Sequence, residues 1–149
     1  MSDVFTFYVV DEDALPEELP TLSDDEKYNV LVTTIESEGV LQYTIEMTID
    51  DFVDGLEAID ELVEGDRFLP NNVMNNSPNN IIDKSADCPY LGFFSAGDAH
   101  RAFTMLQALS EESMDIIESS DVHSEVFHTL FGATQAAVDA SCALAVVHS

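Results

Sequence analysis

The sequence predicts an α+β fold, a small and mostly antiparallel sheet of four to five strands packed with three to four helices. Three observations carry that prediction. Runs rich in β-branched and aromatic residues, some with strict two-residue alternation, lie near both ends and around residue 40. Apolar residues at helical spacing fill several of the intervening stretches. At 149 residues with 46% apolar content, the chain has the length of one domain and the material for an ordinary core, without disulfide or metal staples.

Taken in order, VFTFYVV (Val4 to Val10) reads as a strand. DEDALPEELPTLSDDE follows, with two prolines and eight acids, and reads as a solvated loop holding at most a helical turn. YNVLVTTIE and VLQYTIEMT flank a glycine-containing connection and are expected to form a hairpin. In the second run Leu41, Tyr43, Ile45 and Met47 alternate with Gln42, Thr44, Glu46 and Thr48, the mark of a strand with one wet face. A competing reading opens a helix at a capping box, Ser23 with Glu26, and runs it through Ile35. The β-branched series Val30, Val32, Thr33, Thr34, Ile35 favours the hairpin.

Thr48 is expected to cap a helix whose apolar stripe is Ile49, Phe52, Val53, Leu56, Ile59, Leu62 and Val63, with Gly65 as its stop. A surface loop rich in asparagine and proline, expected to be flexible, spans about 66–89. YLGFFS (Tyr90 to Ser95) reads as a short buried strand, and Ser95 with Asp98 as the cap of a helix carrying Ala99, Ala102, Phe103, Leu106 and Leu109 inward. SEESMDIIES reads as a further short helix. Ser120 begins a longer one with Val122, Val126, Phe127, Leu130, Thr134, Ala137 and Val138 toward the core, and ALAVVHS closes the chain as a strand. One globular domain, 1–149, is expected, with no internal repeat.

Charge is the outlying property. Thirty acids face only Lys27, Arg67, Lys84 and Arg101, for a formal charge of -26, and residues 1–75 hold twenty of the thirty. Direct nucleic-acid binding through phosphate neutralisation needs clustered Lys and Arg and is excluded on this balance, as is docking on an anionic membrane. No apolar run approaches the roughly 18 residues of a membrane span. MSDVFTFYVV lacks the basic start of a signal peptide, so cytoplasmic residence is the expectation. Three readings of the acidity stay open: solubility, a salty habitat, or complementarity to a basic partner.

DDFVDGLEAIDE places Asp50, Asp54, Gly55 and Glu61 at positions 1, 5, 6 and 12 of a calcium-loop spacing. Phe52 stands where position 3 needs an oxygen ligand. A helix would also set Asp50 and Glu61 about 16 Å apart along its axis (11 residues at about 1.5 Å each). The stretch is instead expected to present Asp50, Asp51, Asp54, Glu57, Asp60, Glu61 and Glu64 on the outward side of a helix, with no Lys or Arg among them. Like charges at i, i+4 disfavour a helix by a few tenths of a kcal/mol per pair. Such a face suits docking to a basic protein surface, including one that normally holds phosphates.

Other chemistry is thinly supported. Glu125 and His128 form a single ExxH, whereas a di-iron carboxylate site needs a second copy. His123 and His128 are five apart and face different sides of a helix, with His100 on another. A small metal-dependent or hydrolytic enzyme using His100, His123 or His128 is therefore the alternative reading. GxSxG, GxGxxG and GxxxxGK[ST] do not occur. Cys88 and Cys142 form no CxxC and read as two free thiols, Cys142 buried in ASCALAV and Cys88 beside Pro89 in the loop, with one bridge between them as the alternative.

The order of segments over about residues 45–149 resembles that of the YfbM-like bacterial proteins, a domain family of unknown function. IDDFVDGLEAIDELVEG is similar to that family's hydrophobic helix ending in glycine, YLGFFSAGDAHRAFTMLQALS to its strand followed by a helix, and EVFHTLFGATQAAVDASCALAVVHS to its final helix and terminal strand. The chain departs from the family in lacking the tryptophan of the first helix and the Tyr-Pro segment before the last helix. The resemblance implies a fold and no catalytic residue.

The sequence thus points to a non-enzymatic acidic binding protein, an inhibitor, immunity or accessory protein resembling a DNA mimic, that needs no cofactor or metal. Its partner would be a basic protein surface, and an edge strand or the alanine-rich last helix offers a route to a homodimer.

Overall fold

Alternation along the first strand sets the layers. The computed structural model describes residues 2–19, 21–82 and 91–149. In β1 (Asp3–Val10) Phe5, Phe7 and Val9 point to one side and Tyr8 and Val10 to the other. β1 pairs antiparallel with β2 (Val40–Met47) and with β4 (Ala143–His148), and β4 pairs antiparallel with β3 (Leu91–Phe94). The strand order is β2-β1-β4-β3, an antiparallel sheet within an α+β fold, as the sequence predicts. Both sheet faces carry apolar side chains, so the sheet is covered on both sides.

On one face lie α2 (Ile49–Leu62), α3 (Phe68–Met74), α4 (Ala96–Gln107), α5 (Glu111–Glu118) and α6 (Asp121–Ala140). Phe52, Leu56 and Ile59 of α2 meet Val126, Leu130, Ala133 and Ala137 of α6 and Phe5, Phe7 and Ile45 of the sheet in one cluster. Full burial of each such large side chain contributes about 1.5–3 kcal/mol. Phe5 and Phe52 stack with centroids 4.0 Å apart, fixing the start of α2 over β1. On the other face α1 (Asp24–Glu38) sets Leu31 and Ile35 against Val10, Phe93, Ala145 and Val147.

Two elements differ from expectation, and they account for six helices where three to four were expected. Residues 28–36 are part of α1 and not the first arm of a hairpin. The capping box closes in full, with Ser23 Oγ accepting from the Glu26 N–H and the Glu26 carboxylate from the Ser23 N–H. Three acids in the first turn complement the helix dipole. The β-branched residues Val30, Thr33 and Thr34 fall largely away from the sheet, where their strand preference is not exercised, while Leu31 and Ile35 are fully buried one turn apart. Burial of that narrow stripe decides the element.

The second difference is α3, inside the segment expected to be loop. Leu69, Pro70, Val73 and Met74 are buried, and Gly92 of β3 lets the α3 backbone approach, since a Cβ there would overlap the Val73 carbonyl. A 3-10 turn follows at Pro78–Asn80. The remainder of that loop, residues 83–90 with Cys88, lies outside the described residues. Cys142, expected buried, is half-buried against the main core cluster, its thiol 3.4 Å from the Ala140 carbonyl.

Candidate functional site

The seven acids of residues 50–64 are built on one amphipathic helix. Thr48 Oγ1 accepts from the Asp51 N–H and caps it, and Asp3 Oδ2 takes the Ile49 N–H from across the sheet. With Phe52, Leu56 and Ile59 turned into the core, Asp50, Asp51, Asp54, Glu57 and Glu61 are exposed, and Glu64 is exposed in the turn beyond. That much of the outward face is as expected.

Asp60 is the correction. It is 6% exposed and points into the fold, where Oδ2 accepts from the Arg67 N–H at 2.6 Å and Oδ1 from the Leu69 N–H at 3.0 Å. Arg67 is the N-cap position of α3 but makes no side-chain cap bond, so the carboxylate of α2 supplies the cap from seven and nine residues upstream. The intervening turn is tightly specified. Glu64, Asp66 and Arg67 all have positive φ, whereas Gly65, expected to be the helix's stop, does not. Gly65 is there for another reason: a Cβ on it would overlap the Asp60 carboxylate. Asp60 therefore belongs to the framework, and the outward face holds six of the seven acids.

Nor is the face free of basic neighbours. Arg67 reaches back to Glu57 at 3.1 Å, both side chains at least half exposed, so the pair is worth little in stability. His123, at the start of α6, lies 2.8 Å from Asp54. Between α2 and the turn runs an open cleft of about 500 Å3, lined by Asp60 and Gly65 together with neighbours that include Glu57, Glu61, Glu64 and Arg67.

The remaining histidines lie elsewhere. His100 on α4 and His128 on α6 are exposed. Among the described residues no three His, Cys, Asp or Glu side chains gather as metal ligands. His148 forms a pair that the sequence reading overlooked: its Nε2 is 3.0 Å from Asp3 Oδ1, and its ring stacks on Phe5 at 4.8 Å. The hydrogen bond from His148 holds the Asp3 carboxyl below its usual value of 3.8; desolvation opposes this, and the Ile49 N–H adds to it. Asp3 and His148 are 145 positions apart, and only the pairing of the two terminal strands, Phe5 opposite His148, brings them together. A strand reading of both ends contains that signal once their register is known.

No helix among the described residues is long and apolar enough to cross a membrane. Comparison with protein families, with curated proteins and with solved structures finds no match for the chain.

Proposed function

We propose that the protein is a non-enzymatic binding protein that engages a basic protein surface through the outward face of α2. One observation supports this above the others. Asp50, Asp51, Asp54, Glu57, Glu61 and Glu64 stand exposed along one helix and its following turn, answered among the described residues by the exposed Arg67 and by His123. Repulsion among them works against the helix, and a cationic partner would relieve it. Such a face draws a basic partner electrostatically and loses it as salt screens the field, with a Debye length near 8 Å at physiological ionic strength. A partner whose surface normally holds nucleic-acid phosphates fits the same chemistry, so an inhibitor or accessory role is the natural form. The YfbM-like likeness stands beside this proposal as a fold expectation and adds no residue to it.

The test is capture at low salt. Immobilised protein should retain basic proteins from an extract at about 50 mM salt and release them by about 0.5 M. Retention that does not change over this range would refute an electrostatic face.

A further inference from the structure

The two edges of the sheet are treated differently, and the one left unpaired among the described residues has the properties of a docking strand. Along β3 the outer edge is closed. Asn75 bridges to Leu91, the Asn76 N–H donates to the Leu91 carbonyl at 3.0 Å, and the Asn76 side-chain amide donates to the Phe93 carbonyl at 2.8 Å. Along β2, among the described residues, no backbone hydrogen bond comes from outside the sheet. An eight-residue edge with free N–H and C=O groups is a template for another strand unless lysine, proline or a covering element blocks it. VLQYTIEM carries neither lysine nor proline. Its one irregularity is a bulge where Tyr8 pairs with Leu41 and Gln42 is passed over, which leaves Tyr43–Met47 as a regular ladder.

Apolar exposure concentrates here too. Of five large apolar side chains exposed among the described residues, three are on β2: Val40 at 60%, Leu41 at 57% and Tyr43 at 41%. On the α1 side Val4, Thr6 and Tyr8 of β1 are only half-buried, so α1 leaves this end of the sheet open. The charge around it has one sign. Glu46 projects from β2 on that side, opposite Val4, and Glu36 at the end of α1 lies close enough to Tyr8 to add to the desolvation that raises its phenol pKa. Glu38 is exposed just before β2, and no Lys or Arg lies anywhere between Lys27 and Arg67.

We infer that the outer edge of β2 accepts an extended segment of a basic partner as a fifth strand, with alternate lysine or arginine side chains meeting Glu36 and Glu46 on the α1 side and the intervening apolar ones meeting Val40 and Tyr43 on the α6 side. Main-chain pairing would supply affinity and the alternating side chains specificity. The charge complementarity selects this occupant over a second copy, because two chains of formal charge -26 repel each other. The inference rests on the reading that the partner is basic, and it adds a second point of attachment to the α2 face.

The probe is an eight-residue capped peptide alternating lysine and valine, with its glutamate–valine counterpart as control, followed by amide hydrogen exchange on the intact protein. The lysine peptide should slow exchange at alternate residues of Tyr43–Met47 by about tenfold, and the glutamate peptide should not. Converting Glu36→Lys and Glu46→Lys should exchange that preference. Unchanged β2 exchange with both peptides overturns the inference. Equal protection by both removes the charge rule and overturns it as well, and protection that rises with protein concentration alone assigns the edge to a second copy. The α2 face is tested independently by neutralising Asp50, Asp51, Asp54 and Glu61. If that variant captures basic proteins as the unmodified protein does while the lysine peptide still protects β2, the edge stands and the α2 reading falls. If capture is lost and β2 stays unprotected in the unmodified protein, the edge alone falls.

Discussion

Replacing Asp60 by alanine separates the one structural acid of α2 from its outward neighbours. The carboxylate accepts two backbone N–H groups, and the two are not equivalent. Leu69 is fully buried, so its N–H would be left without a partner or water, at about 2 kcal/mol. Arg67 is exposed, so water can replace the carboxylate there, at about 1 kcal/mol. The sum is about 3 kcal/mol. For a domain of this size that is a fall in Tm of roughly 6–12 °C, at about 2–4 °C per kcal/mol. Urea unfolding followed by circular dichroism measures it. Glu61→Gln is the matched control: its carboxylate is exposed with Glu57 and Glu64 one turn away, so stability should stay within about 0.5 kcal/mol or rise slightly at low salt. An Asp60→Ala loss below about 1 kcal/mol, or one no larger than that of Glu61→Gln, would refute the capping argument.

Gly65→Ala should be nearly as damaging as Asp60→Ala, because the new Cβ overlaps the Asp60 carboxylate, and the two losses should not add in the double variant. Thermal denaturation of the two single variants and the double checks both claims. Phe52→Ala removes a fully buried ring stacked on Phe5 and should cost about 3–5 kcal/mol by urea unfolding. Asp3 gives a pH signature. Its folded carboxyl titrates below the ordinary value of 3.8, so its contribution is present above that value and is lost as pH falls through the lower folded value. Asp3→Asn should be less stable than the unmodified protein near pH 6, with the gap closing below about pH 4; a gap that stays constant down to pH 2.5 would contradict the pairing with His148.

How legible all this was depended on whether an element announced itself over enough residues. α2 and α6 did, since their apolar stripes run through three turns or more, and β1, β2 and β4 did through β-branched and aromatic content. α1 was misread because its local composition favours strand, while the burial of Leu31 and Ile35 that overrides it is a tertiary fact. α3 is seven residues long, too short for a period to stand out among asparagines, and is held by contacts with β3 and by a cap from α2. Asp60 was misplaced for a reason the helical wheel does contain. At about 100° per residue, Asp60 lies roughly 80° from Phe52, close to the buried flank, whereas Glu57, Glu61 and Asp50 lie at about 140–180°. Counting acids by type hid that difference in angle. The open edge of β2 was invisible for another reason: in the sequence Leu41 and Tyr43 read as one face of a half-buried strand, whereas the bulge at Gln42 turns Leu41 to the face opposite Tyr43, and only the strand order puts β2 at the margin.

The claim that α2 is a docking face is tested most directly by two variants of equal charge. In one, Asp50→Asn, Asp51→Asn, Asp54→Asn and Glu61→Gln neutralise four exposed carboxylates of α2. In the other, Asp13→Asn, Glu17→Gln, Glu18→Gln and Asp139→Asn neutralise four exposed acids on other elements. Capture of basic proteins is then compared at about 50 mM salt, well below full screening. The account predicts that the α2 variant loses capture and the other retains it. Equal retention, or equal loss, would contradict it and assign the acidity to the protein as a whole.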